Sequence, residues 1–133
     1  MIDYLSPALD VCAINQISAL GLAHIGDAVY ETCVRSYLCL EGNKAVQELH
    51  RKTVSLVNAR FQAEAVEKIL GLLSSEELAV YKRGRNAKVN SVPHNASINE
   101  YHAATGLETL FGWMFLQGER DRINLLFTAM MED

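Results

Sequence analysis

Apolar residues recur at helical spacing along almost the whole chain, and no run alternates between apolar and polar residues as a half-buried strand would. The last helix is the clearest example, with apolar residues at i, i+3, i+4 and i+7 on one face: Ile123, Leu126, Phe127 and Met130. We therefore expect an all-α protein. The length of 133 residues, half of them hydrophobic, suits one core, and we expect a single domain over residues 1–133.

Residues that end helices divide the first half of this pattern into two helical regions. A first helix is expected from about Ile17 to Leu40, and it closes at Gly42 because glycine is favoured just after a helix C-terminus. A second region runs from about Ala45 to Leu72, with a break near Asn58.

Two capping-box matches, each a serine followed by glutamate three residues later, begin helices in the second half of the chain at Ser74 and Ser97. The first helix is expected to run through Tyr81, and the second to end near Gly118. The segment between them, about 83–95, is polar, basic and rich in turn-forming residues, so we expect a loop there.

The cysteines and the hydropathy pattern indicate a cytoplasmic protein. No apolar run reaches the roughly 18 residues that a membrane span requires, and the N-terminus lacks the basic patch of a signal peptide. The three cysteines show no metal-ligand spacing. Cys33 and Cys39 lie in a strongly apolar stretch, so we expect them to be reduced thiols in the core.

Two carboxylates lie in helices that offer them no basic partner. Glu108 stands in the middle of an apolar and small-residue stripe on a helix without Lys or Arg, and no Lys or Arg precedes Asp27 in the chain. Burying a charged carboxylate costs several kcal/mol unless a cation or hydrogen bonds compensate. Each carboxylate also has a purely structural explanation. Asp27 would hydrogen-bond to a backbone amide or to His24, and Glu108 would pair with a basic residue from elsewhere in the chain. Otherwise both converge on a divalent cation such as Mg²⁺, which prefers oxygen ligands.

The positive charges are concentrated in one segment of an acidic chain. The formal net charge of −4 by itself argues against nucleic-acid binding, yet four of the twelve Lys and Arg residues lie within residues 82–88. Favourable charge at a helix C-terminus explains one or two of them. Four charges interrupted by Gly84 and Asn86 better suit contact with a polyanion such as RNA. We therefore expect RNA binding by Lys82, Arg83, Arg85, Asn86 and Lys88.

Three segments together resemble the ribonuclease III family. Residues 22–31, Leu-Ala-His-Ile-Gly-Asp-Ala-Val-Tyr-Glu, resemble its signature helix; residues 101–116 look like its second catalytic helix; and residues 49–65 are similar to the helix between them. The run Lys-Arg-Gly-Arg-Asn-Ala-Lys at 82–88 looks like the Mini-III ribonuclease branch in particular.

The resemblance implies an all-α domain that dimerises through the signature helix and cleaves double-stranded RNA with Mg²⁺. Asp27 and Glu108 would be the metal-binding catalytic carboxylates. In the Mini-III branch the expected role is trimming the ends of the large-subunit (23S) ribosomal RNA precursor, helped by a ribosomal protein.

The chain departs from the full-length enzymes of this family in ways that the Mini-III branch shares. Ala23 and Thr105 stand where the larger enzymes carry Glu and Asp, which leaves fewer metal ligands. The chain also shows no double-stranded-RNA-binding domain, so we expect the catalytic domain itself to hold the substrate. The part played by Glu31 stays open between an ion pair with Arg35 and a place near the metal.

Two other classes of function are compatible with the residues alone. A non-catalytic helical RNA-binding module would use the basic segment and would need no metal. A metal-dependent nucleotide pyrophosphohydrolase would use several glutamates at helical spacing, of which Glu64 with Glu67 and Glu76 with Glu77 are the only clusters.

Overall fold

The computed structural model describes residues 1–88 and 97–132, and this part of the chain is helical without a β-strand. The all-α prediction is confirmed. No helix in these residues combines the length and the apolarity needed to cross a bilayer. One short 3-10 helix spans Leu70–Leu72, and the seven α-helices are α1 (Val11–Ile14), α2 (Ala19–Leu40), α3 (Val46–Val57), α4 (Ala59–Glu67), α5 (Ser75–Arg85), α6 (Ile98–Gln117) and α7 (Arg120–Met131).

Helix α6 lies at the centre, in contact with α1, α2, α4, α5 and α7. Its apolar residues Leu107, Leu110, Phe111 and Met114 are fully buried. Tyr30 of α2 packs edge-to-face on Phe111, with 5.8 Å between ring centroids. A helix that is apolar on almost all sides is stable only when other helices cover it, and this explains the arrangement around α6.

The backbones of α2 and α6 touch at two points, each occupied by a glycine. A Cβ atom on Gly26 of α2 would lie 1.6 Å from the carbonyl oxygen of Glu108, and one on Gly112 of α6 would lie 2.0 Å from the carbonyl oxygen of Leu22. Backbone atoms cannot move aside as a side-chain tip can, so any larger residue at either position would force the helices apart. The two glycines therefore set the distance between α2 and α6.

Most of the predicted helix boundaries are confirmed. Gly42, with φ of 127°, follows the end of α2. Asn58 is extended and separates α3 from α4, and its side chain caps α4 by accepting a hydrogen bond from the Phe61 amide at 2.8 Å. Both capping boxes form, at Ser74 and at Ser97.

Three expectations were wrong or incomplete. Helix α5 continues through Tyr81 to Arg85, because Gly84 packs closely against Thr109 of α6 instead of forming a turn. The short α1 was not predicted. Cys39 is exposed and Cys33 is half-buried, so the prediction of two core thiols fails for Cys39. The part of the predicted loop from residue 89 to residue 95 lies outside the described residues.

We predict that Gly26→Ala lowers the free energy of unfolding by about 3 kcal/mol or more, because the new methyl group overlaps the Glu108 carbonyl. Gly71→Ala is the control: nothing lies within 4 Å of its added Cβ, so the change should stay within about 1 kcal/mol. Urea unfolding followed by circular dichroism measures both. Equal stabilities would contradict the close helix crossing.

Candidate active site

The α2–α6 crossing brings Asp27 and Glu108 together. Asp27 directly follows Gly26, which lies against the backbone of Glu108, and the Asp27 carboxylate is near enough to raise the pKa of Glu108. Glu108 is half-buried, whereas Asp27 is exposed. The sequence analysis treated both carboxylates as buried groups, and for Asp27 this is wrong within the single chain. One carboxylate is therefore anchored in the protein and the other reaches solvent.

Glu108 is held in an environment that disfavours its negative charge. Burial, followed by the charge of Asp27 and their hydrogen bond, raises the pKa of Glu108 to about 8, against a smaller lowering by a hydrogen bond from Gln62. Within residues 1–88 and 97–132, neither Asp27 nor Glu108 takes part in an ion pair. The structural alternative of a distant basic partner for Glu108 therefore finds no support there.

The pair has the chemistry of a divalent-cation site. Two carboxylates in contact without a counter-ion present hard oxygen ligands and uncompensated negative charge, which is what Mg²⁺ binds. No group of three or more His, Cys, Asp or Glu side chains suited to a metal forms among the residues that the structure describes. Within the described residues, Asp27 and Glu108 are two potential oxygen ligands, a number that fits Mg²⁺, because this ion keeps several waters and also binds substrate phosphate.

Gln62 of α4 is a further polar residue at this site, and the sequence analysis missed it. It is 1 % exposed, and its Nε2 donates to Oε2 of Glu108 at 3.4 Å. The sequence held a signal for it: Gln62 precedes the buried Ala65 and Val66 by three and four residues, so a polar amide stands on the apolar face of its helix.

Glu31 and Arg35 form an ion pair one and two turns after Asp27 on the same helix. Arg35 donates to Oε2 of Glu31, with 2.8 Å from Nη2 and 2.9 Å from Nε. Arg35 is exposed and Glu31 is partly exposed, and such pairs contribute at most about 1 kcal/mol. Of the two alternatives for Glu31, the structure shows the ion pair with Arg35.

The basic segment occupies the last turn of α5 and the residues after it. Lys82, Arg83, Asn86 and Lys88 are exposed, and Arg85 is half-buried. Since Gly84 packs against Thr109, this turn lies against the turn of α6 that carries Glu108. Positive charge is therefore placed next to the helix that supplies one of the two carboxylates.

The basic side chains differ in how they are held. Arg83 donates from Nη2 to the Ile17 carbonyl at 2.7 Å, just before α2 begins. The Arg85 guanidinium lies 5.7 Å from the centre of the Tyr81 ring, and its Nε donates to Oδ1 of Asn86 at 3.4 Å. Arg83 and Arg85 thus have structural contacts as well as charge.

Comparison with known proteins agrees with this fold. The model of the ribonuclease III domain family matches residues 20–119, so the chain belongs to the ribonuclease III family. A crystal structure of a protein from Fusobacterium nucleatum superposes with a TM-score of 0.79 at 30% identity, covering 86% of this chain and 91% of that one.

Curated relatives define the branch of the family. Mini-ribonuclease 3 of Thermoanaerobacter sp. (strain X514) is 44% identical over 107 residues, which is 80% of this chain and 75% of the relative. Mini-ribonuclease 3 of Enterococcus faecalis is 39% identical over 114 residues, 84% of this chain and 86% of the relative. The chain is thus an endoribonuclease of the Mini-ribonuclease 3 type. This excludes the two alternatives considered from the sequence, a nucleotide pyrophosphohydrolase and a non-catalytic RNA-binding module.

We predict that Glu108→Gln stabilises the metal-free protein. The pKa of Glu108 is raised in the folded protein, so this carboxyl lowers stability once the pH exceeds its ordinary pKa. At pH 7 its replacement by a neutral amide should therefore raise the free energy of unfolding by about 1 kcal/mol, or a few degrees in Tm. Thermal unfolding in EDTA measures this. Glu64→Gln is the matched control, because Glu64 is exposed and paired with Arg60. A Tm of Glu108→Gln at or below that of the unaltered protein would contradict the electrostatic account of the site.

Proposed function

We propose that this endoribonuclease cleaves double-stranded RNA with Mg²⁺ held by Asp27 and Glu108. The single observation that supports this is the approach of Asp27 and Glu108 at the α2–α6 crossing, with no ion-pair partner in the described residues. Two bare carboxylates would repel a phosphodiester, so a cation between them and the substrate is needed for catalysis.

The two carboxylates have different tasks in this mechanism. When bound, Mg²⁺ supplies a water of lowered pKa and stabilises negative charge on the scissile phosphate. Glu108, half-buried on α6, would be the ligand that the fold holds in place. Asp27, exposed on α2, would be the ligand that also faces solvent. Gly26 and Gly112 keep both at a constant separation, which preorganises the site.

We propose that Lys82, Arg83, Arg85, Asn86 and Lys88 contact the RNA. Duplex RNA is recognised mostly by its shape, through phosphates and 2′-hydroxyls. The exposed lysines suit phosphate contacts, and the amide of Asn86 suits a ribose hydroxyl. Their place beside the α6 turn of Glu108 lets the RNA backbone reach the two carboxylates and the basic segment at once.

We propose a homodimer formed through α2. Ala28, Thr32 and Ser36 follow one another at four-residue spacing, are exposed, and line an apolar cavity of about 540 Å³. Such small side chains let a second helix approach closely, and a two-fold axis would cover both copies equally. Sedimentation equilibrium should give twice the chain mass of 14.8 kDa; a monomer at micromolar concentration would contradict the proposal.

We propose that the substrate is the paired ends of the large-subunit (23S) ribosomal RNA precursor, in the cytoplasm and with a ribosomal protein as helper. This choice rests on the role expected for the Mini-III branch, to whose members the chain is similar. Cleavage of a precursor duplex, compared with an unrelated duplex of equal length and with or without ribosomal proteins, tests it. Equal rates on both duplexes under all conditions would contradict it.

We predict that Asp27→Asn and Glu108→Gln each reduce the rate of duplex-RNA cleavage in Mg²⁺ by roughly a hundredfold or more, because each removes a ligand of the charge-stabilising ion. EDTA should abolish cleavage by the unaltered protein. Glu64→Gln, on an exposed ion pair, is the control and should cleave normally. Retention of the unaltered rate by the Asp27 or Glu108 variant would reject these roles.

We predict different outcomes for two adjacent basic residues. Lys82→Gln should weaken duplex binding and reduce the slope of log K against log salt by about 1, without loss of stability. Arg83→Gln should also lower Tm, because it removes the hydrogen bond to the Ile17 carbonyl. Filter binding in the Asp27→Asn background, at several salt concentrations, measures the affinities. An unchanged salt slope for Lys82→Gln would show that Lys82 does not contact the RNA.

A further inference from the structure

Gln62 stands at a place where a polar side chain is costly. Gln62 is 1 % exposed, and Ala65 and Val66, its neighbours on the same face of α4, are 2 % and 0 % exposed. An amide in such a setting costs free energy unless hydrogen bonds compensate, and an apolar side chain of similar volume would pack there without that cost.

The hydrogen bond of Gln62 is directed at Glu108. Its Nε2 donates to Oε2 of Glu108 at 3.4 Å, across 46 residues of chain and from one helix to another. In the described part of the chain, no Lys, Arg or His pairs with Glu108. Among the described residues, the side-chain donor to this carboxylate is therefore the neutral amide of Gln62 on α4.

We propose that Gln62 is a positioning residue, whose buried amide fixes the orientation of the Glu108 carboxylate relative to Asp27. This inference rests on the proposed metal-binding role of that pair. A carboxylate can rotate about its last side-chain bond, and a donor on one oxygen restricts that rotation. Being neutral, the amide orients Glu108 without cancelling the negative charge that attracts a cation.

The uncharged amide has an advantage over a basic side chain in the same place. A lysine or arginine would hold Glu108 more firmly but would compete with a divalent cation for it. A leucine or methionine would leave the carboxylate free to turn away. Groups that hydrogen-bond to metal-binding carboxylates typically change metal affinity or activity by roughly 10- to 100-fold when removed.

The test compares Gln62→Met with Gln117→Met. Methionine keeps the length of glutamine and removes the donor. Gln117 is the matched control, because its Nε2 donates only to the Trp113 carbonyl of its own helix, at 3.2 Å. Mn²⁺ binding to the full chain, followed by electron paramagnetic resonance, should weaken roughly tenfold in Gln62→Met and stay unchanged in Gln117→Met.

Cleavage kinetics provide a second readout. The Mg²⁺ concentration for half-maximal cleavage should rise roughly tenfold in Gln62→Met, while KM for the duplex stays constant. A purely structural tie between α4 and α6 would lower Tm and leave the Mn²⁺ affinity of the folded protein unchanged, and that result would overturn the inference.

Two further arms separate the possible failures. Asp27→Asn that binds Mn²⁺ as tightly as the unaltered protein would reject the proposed metal site itself, and the positioning role with it. If Gln62→Met does not fold, the unaltered protein is used: Mg²⁺ should shift the Gln62 side-chain amide signals in ¹⁵N NMR spectra and leave those of Gln117 in place. If the chemical shifts of the Gln62 side-chain amide do not change on addition of Mg²⁺, the inference is overturned.

Discussion

The contact of two helix backbones at Gly26 and Gly112 is the constraint on which the rest of the structure depends. With the Gly26 Cβ position 1.6 Å from the Glu108 carbonyl oxygen, α2 and α6 can lie no closer, and no other residue type permits this distance. Because Asp27 follows Gly26 and Glu108 supplies the touching carbonyl, the contact that packs the core also builds the site. Stability and site geometry therefore arise from the same few atoms.

The site works against the stability of the metal-free fold. Burial and the neighbouring Asp27 raise the pKa of Glu108. Ionising Glu108 therefore costs more free energy in the folded protein than in the unfolded chain. A divalent cation bound by both carboxylates would offset this cost. Gln62 limits the carboxylate's freedom without neutralising it. An acidic chain with one basic turn can in this way attract a cation at one place and an RNA backbone beside it.

The sequence predicted most of the fold because its helices carry local signals. The capping boxes at Ser74 and Ser97, the break at Asn58 and the close at Gly42 all depend on residues within one turn, and all form as expected. The end of α5 was placed too early because the role of Gly84 is set by Thr109, 25 positions away in the chain. Long-range packing of this kind leaves no local trace.

The candidate site was predictable in part for the same reason. Asp27 and Glu108 stood out because neither had a basic neighbour in the chain, and their meeting in space required the tertiary structure. Burial was inferred for both, yet Asp27 is exposed within the part of the chain that the structure describes. Gln62 escaped notice because an uncharged amide on an amphipathic helix does not by itself indicate a partner.

The central claim is that α2 and α6 hold one divalent cation between two carboxylates. Anomalous diffraction from crystals soaked in Mn²⁺ tests it most directly. The account predicts a peak about 2.0–2.3 Å from oxygens of both Asp27 and Glu108, a range typical of such ions. A peak next to other residues would contradict the claim. So would the absence of a peak at Asp27 and Glu108, provided that the same protein binds Mn²⁺ in solution.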